Sequence, residues 1–137
     1  MISPAYYERR NLPNNIFPFH DIEKAYVGLL TEIGGTPELP IMKEVSKEET
    51  GYERVEIPFN SFFIFDETAD KWISSEVIEF PKPKKDWGMI TGLAFFVDNE
   101  SDEFYIVDVL QNNRYVAANS HRPYIKKSWL RIFQPIK

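Results

Sequence analysis

Residues 89–97 read MITGLAFFV, residues 98–102 DNESD and residues 103–110 EFYIVDVL. The first stretch is apolar at almost every position and holds aromatic and β-branched side chains, the composition of a strand buried on both faces. The second gathers Asp, Asn and Ser, whose side chains bond nearby backbone and favour turns. The third returns to aromatic and β-branched residues. Strand, short polar connection and strand make an antiparallel hairpin, and with it the chain reads as a β protein. The spaced acids of the connection also invite a calcium-loop reading. An EF-hand loop, however, needs glycine at its sixth position and a bidentate Glu at its last, where this chain has Glu103 and Val109. The turn reading is therefore preferred.

Outward from this hairpin the same signature recurs. Strands are expected at 25–32 (AYVGLLTE), 52–59 (YERVEIPF), 72–80 (WISSEVIEF), 114–118 (RYVAA) and 129–134 (WLRIFQ). In the second of these, Tyr52, Arg54 and Glu56 alternate with Val55, Ile57 and Phe59, a period near two with one face buried. Ten prolines are spread along the chain, and few stretches between them show the helical period. The fold expected is all-β, an antiparallel β-sandwich of about seven to eight strands with an extended N-terminal arm.

Two segments lack strand pattern. Residues 1–20 are rich in Pro and Asn and carry Tyr6, Tyr7, Phe17 and Phe19. They read as the arm, which docks its aromatics either on its own domain or on a neighbouring subunit. The sandwich domain is then 21–137. Residues 33–50 are acidic, begin with Gly34-Gly35 and read as a long loop, with a turn of helix expected around 41–46.

The 137-residue chain suits one domain with its own core. It has no cysteine and only two histidines, His20 and His121, which removes disulfides, thiolate metal sites and multi-histidine metal sites. No metal and no cofactor are expected. No apolar run approaches the ~18 residues of a membrane span, and the first residues hold no apolar signal region. The formal charge of −5 is a sum of unlike parts. Residues 112–137 hold six basic residues and no acidic one, which leaves 10 basic against 21 acidic in the remainder. Three readings of the basic region stand: a solvated strand edge protected by charge, one half of a contact between copies, and a nucleic-acid patch, the last disfavoured by the overall charge.

Catalytic motifs are missing. No nucleophile elbow, zinc-protease helix or phosphate loop occurs, and Ser120 next to His121 is adjacency, not a triad. The expectation is a protein that is not an enzyme. Trp72, Trp87 and Trp129 with the tyrosines could form a sugar-stacking platform, although tryptophans in so aromatic a chain commonly build core.

One block is more specific. Phe80-Pro81, a short loop, then Asp86-Trp87-Gly88-Met89-Ile90-Thr91-Gly92 and an apolar strand ending in Asp98 resemble a pattern common in tailed-bacteriophage virion structural proteins. Upstream, residues 26–31 (YVGLLT) resemble that family's first strand, and Gly51-Tyr52-Glu53-Arg54-Val55 resembles its Gly-Tyr-x-Arg strand. Order and spacing agree over roughly residues 25–110. The acidic NESDE after the aspartate departs from the small, Gly-rich turn of the family, and neither the arm nor the basic C-terminal region is covered by the pattern.

The residues themselves read as fold-keeping. Phe80 ends a strand, Pro81 stops the ladder for lack of an N–H, Trp87 caps the open end of the sandwich, Gly88 permits a tight turn and Asp98 opens the hairpin. Tyr52 and Arg54 join this set through the Gly-Tyr-x-Arg strand. The resemblance implies a non-enzymatic virion module, made in the host cytoplasm, that forms or anchors a tail, collar or head appendage. Its expected partners are other virion proteins and copies of itself, with no membrane. The alternative is a carbohydrate-binding module for host surface glycans. The interface residues expected are Tyr6, Tyr7, Phe17 and Phe19 of the arm, and Arg122, Lys126, Lys127 and Arg131 of the basic region.

Overall fold

The computed structural model describes residues 3–4, 23–35, 40–68, 71–127, 129 and 131–133. The long central hairpin is its spine. Strand β8 (Gly88–Phe96) pairs with β9 (Phe104–Val116), and β8 also pairs with β2 (Ala25–Gly35), all antiparallel. The two edges of this sheet are completed by β1 (Ser3–Pro4) on β9, and by β3 (Pro40–Glu44) and β4 (Val55–Ile57) on β2. The facing layer is broken into pieces. It contains a single helical turn, α1 (Phe59–Phe62), a three-stranded sheet of β5 (Phe63–Asp66), β6 (Lys71–Ser74) and β11 (Arg131–Phe133), and the pair β7 (Ile78–Glu79) with β10 (Tyr124–Ile125). No helix among the described residues is long and apolar enough to cross a membrane.

The main core lies between these layers. Ala25, Val27 and Leu29 of β2 and Leu93 and Phe95 of β8 meet Phe59 and Phe62 of α1, Ile78, Phe80 and Ile125. Phe59 stacks on Phe95 at 5.5 Å and on Tyr105 at 5.7 Å, so the helical turn works as an aromatic plug. The other face of the large sheet carries a smaller cluster of Leu30, Ala94, Phe96 and Val107. Strand β8 is therefore buried on both faces from Gly92 to Phe96, as its unbroken apolar run required.

The all-β antiparallel expectation holds, with corrections in detail. The strands are more numerous than expected and uneven in length, from two residues to the 13 of β9. The run 72–80 breaks into β6 and β7 around residues 75–77, which separates two small sheets. Expected strands 103–110 and 114–118 are one strand, β9, interrupted by a wide bulge. Ile90 pairs with Arg114 and Gly92 with Val109, so four residues of β9 oppose the single Thr91. Leu110 dips into the core while Gln111, Asn112 and Asn113 stay in solvent, and those polar residues imitate a turn in the sequence.

Part of the loop expected at 33–50 is strand instead, and residues 33–35 extend β2. Residues 40–44 form β3 against β2, not a turn of helix. The expected strand 52–59 shrinks to β4, and Phe59 begins α1 rather than ending a strand. Its alternation also slips. Tyr52 and Arg54 are buried, Val55 is half-buried and Ile57 is buried again, so no single phase describes the segment. Of the arm, Ser3–Pro4 pairs with β9 of its own sheet; Tyr6, Tyr7, Phe17 and Phe19 lie outside the described residues.

Candidate functional site

The residues of the resemblance meet at one seam. On its free side β2 changes partner: Ala25 to Val27 pair with β4, and Leu30 to Gly35 pair with β3. At the junction neither ladder serves the Leu29 amide. Tyr52 does so, its hydroxyl accepting from Leu29 N at 2.9 Å and donating to the Glu44 carboxylate, while Val45 N donates to Leu29 O at 3.1 Å. Gly28 makes the approach possible. A Cβ there would lie 2.6 Å from the Phe96 ring, 2.8 Å from Glu44 Oε2 and 2.9 Å from the Tyr52 oxygen.

Arg54 is the centre of the seam. Its side chain is 2% exposed, and its Nη2 donates to Glu44 Oε1 at 2.8 Å and its Nε to Glu44 Oε2 at 3.0 Å, a bidentate fork. Its Nη1 donates to the carbonyls of Asp98 and Ser101 at 2.9 and 2.8 Å. The guanidinium also lies 3.6 Å above the centre of the Phe96 ring. Burial works against its charge, but the Glu44 hydrogen bonds and carboxylate outweigh that, so its pKa stands above the ordinary arginine value.

One side chain thus ties the Gly-Tyr-x-Arg strand to the turn between β8 and β9. The turn is held locally too. The Asp98 carboxylate accepts from Glu100 N at 2.8 Å and Ser101 N at 2.6 Å, and those amides hold it below the usual carboxylate range. Lys47 Nζ reaches Asn99 O at 3.1 Å. Two of the turn's carbonyls, those of Asp98 and Ser101, are taken by the Arg54 guanidinium. Among the described residues no group of three or more His, Cys, Asp or Glu is arranged to hold a metal.

Trp87 closes the other end of the motif. It is buried, its Nε1 donates to Thr50 O at 2.9 Å, and its ring meets that of Tyr52 edge-on at 5.3 Å. Gly88 follows with φ of 91°, the left-handed region that a side chain would strain. Phe80 is fully buried and donates its amide to Pro123 O at 2.8 Å; Pro81, with no N–H to give, stops that ladder there. Tyr52, Arg54, Phe80 and Trp87 are all buried, and the burial of Trp87 keeps it from offering a stacking face to a sugar.

The basic region is not one surface. Arg122 is exposed and donates to Glu79 Oε1 at 3.1 Å. Lys126 and Lys127 are exposed beyond β10, with Lys126 Nζ 5.1 Å from the Trp129 ring centre. Arg131 belongs to β11 in a different sheet. His121 is exposed in the connection to β10. Sequence reasoning missed a second set of cations. Lys82, Lys84 and Lys85 are all exposed in the loop before Trp87, and the backbone lays that loop beside residues 119–123 through Lys84 N to Thr50 O at 2.8 Å and Asn119 N to Pro83 O at 2.9 Å. The alternation of Lys and Pro over 81–85 was the available signal. A shallow open depression lies at the opposite end, lined by Tyr26 and residues 98–101.

Because the Tyr52 hydroxyl is buried against Glu44, its pKa is pushed well above the ordinary value of 10.0, by burial first and by the Glu44 charge second. A raised folded-state pKa contributes stability in full below the unfolded value and loses it as pH rises past that value. Stability should therefore fall above about pH 10, measured by urea unfolding across an alkaline series. Tyr52→Phe should lower stability at neutral pH by about 1–3 kcal/mol, by orphaning the Leu29 amide, and should flatten the alkaline fall. An alkaline slope unchanged by the substitution would assign it to the half-buried Tyr26 and the exposed Tyr115, whose hydroxyls are raised by Glu56 and Asp86.

No protein-family model, curated protein or solved structure matches this chain.

Proposed function

We propose that this chain is a non-enzymatic structural module of a tailed-bacteriophage virion, forming or anchoring an appendage through contacts with other virion proteins and with its own copies. The observation that carries this reading is the convergence at the seam. Tyr52, Arg54, Trp87 and Asp98, residues of the resemblance, bond to one another's strands and to backbone; the first three are buried, and Asp98 borders only a shallow open depression. A motif that keeps a scaffold suits a part whose work is to hold position and present surface. Arg122, Lys126 and Lys127 are exposed, and Tyr6, Tyr7, Phe17 and Phe19 of the arm are of the residue types that interfaces favour.

Mass spectrometry and immunogold labelling of purified particles of the encoding phage test the proposal. The chain should be present at a fixed copy number and at one location. Its absence from particles, in a lysate that contains it in soluble form, would overturn the reading. In the same preparations, removal of residues 1–20 should reduce incorporation.

A further inference from the structure

The two ends of the β8–β9 hairpin carry opposite leftover charge. At the Gly88 end three carboxylates are engaged. Glu49 binds Lys85 Nζ at 2.6 Å, Glu79 binds Arg122, and Asp86 accepts from Ala118 N at 2.7 Å and Tyr115 Oη at 3.0 Å. Lys82, Lys84 and Arg114 are exposed there and form no ion pair among the described residues. At the Phe96 end the cations are engaged instead: Lys24 on Glu56 at 3.6 Å, Lys47 on a carbonyl and Arg54 on Glu44 and the turn. Glu100, Asp102 and Glu103 are left exposed with no ion pair among the described residues. The nine residues of β8 set its two ends roughly 26 Å apart.

The basic end also carries an apolar anchor. Met89 and Tyr115 are direct cross-strand partners, 47% and 53% exposed, and the Tyr115 hydroxyl is fixed by Asp86. An exposed, oriented tyrosine beside cations is the composition of an interface core with a charged rim. Both ends are tied by hydrogen bonds within the chain, one through Arg54 to the turn and the other through Thr50 and Pro83, which lowers the ordering cost of association.

We infer that a second copy of this chain docks its acidic β8–β9 turn on the basic Met89–Tyr115 end of the first. The contact is head-to-tail and so heterologous: each copy uses two different surfaces, and repetition gives a ring or a stack. This deepens the reading of the chain as an assembly module by naming the surfaces between copies.

The test is sedimentation of the full chain and of two neutralised variants, Lys82→Gln with Lys84→Gln and Glu100→Gln with Asp102→Asn. All four positions are exposed, and circular dichroism checks that each variant is folded. At about 20 mM salt and high protein concentration the wild type should exceed the 16.1 kDa monomer mass, and at about 0.5 M salt it should return to it. Each variant alone should associate at least tenfold more weakly. An equimolar mixture should stop at twice the monomer mass, since it retains one intact pair of surfaces and cannot extend. A wild type that remains monomeric, association indifferent to salt or to both variants, or a mixture no larger than its components overturns the inference. Those results leave the particle experiment untouched, while self-association by a chain absent from particles would sink the virion reading and spare this one.

Discussion

Arg54→Ala is expected to cost about 3–5 kcal/mol in urea unfolding at neutral pH, the range for breaking a buried pair by removing one partner. Domains of this kind are stable by only about 5–15 kcal/mol, so the variant should sit near its threshold at 37 °C. The size follows from what is left behind. Glu44, 18% exposed, keeps its charge with only the Tyr52 hydroxyl beside it, the carbonyls of Asp98 and Ser101 lose their donors, and the Phe96 ring loses its cover. Arg54→Lys should recover little, because an ammonium cannot bridge a carboxylate and two carbonyls in one plane. Glu44→Ala combined with Arg54→Ala should cost clearly less than the two single losses together, since both break one network. A loss below about 1 kcal/mol for Arg54→Ala would mean that water takes over its hydrogen bonds, and the seam would not be a latch.

Trp87→Ala should be of similar size, about 3–5 kcal/mol, for a different reason. Here the loss is volume. The ring is 4% exposed, packs edge-on against Tyr52 and sits among the residues of the main core. Trp87→Phe separates the ring from its N–H. It should cost only about 1–2 kcal/mol, because Thr50 O retains the Lys84 amide as a donor and is not orphaned. Thermal unfolding followed by tyrosine fluorescence reads both variants. Equal losses for Ala and Phe would make the hydrogen bond, and not the packing, the reason for tryptophan at this position.

The two variants probe different levels of legibility. The central hairpin was readable because its signals are local: an unbroken apolar run can be satisfied only by burial on both faces, and an Asx-type turn is made from its own side chains. The fold-keeping positions Phe80, Pro81, Gly88 and Asp98 were readable for the same reason, since a missing N–H, a missing Cβ and a capping carboxylate act within a few residues of themselves. The burial of Arg54 was not readable. Alternation in 52–59 treats charge as outward, and only the arrival of Glu44, of two carbonyls from 44 and 47 residues further along the chain and of an aromatic face makes an interior guanidinium tolerable.

By itself, then, the sequence determined the antiparallel β class, the hairpin at its centre and the residues that start and stop its strands. Those outcomes follow from side-chain period and backbone chemistry, which reach only as far as the next turn. Tertiary structure alone decided that β2 changes partner at Leu29, that the second layer breaks into pieces around an aromatic plug, and that residues 110–113 bulge instead of turning. It also decided where charge is left over. The six cations of residues 112–137 are one run on paper, but the five among the described residues belong to separate elements: Arg114 lies on β9 at the same end as Lys82 and Lys84, Arg122 is spent on Glu79, Lys126 and Lys127 follow β10, and Arg131 belongs to β11. Charge is additive along a chain, whereas a surface depends on which charges find a partner, and partners are chosen by contacts that span the whole fold.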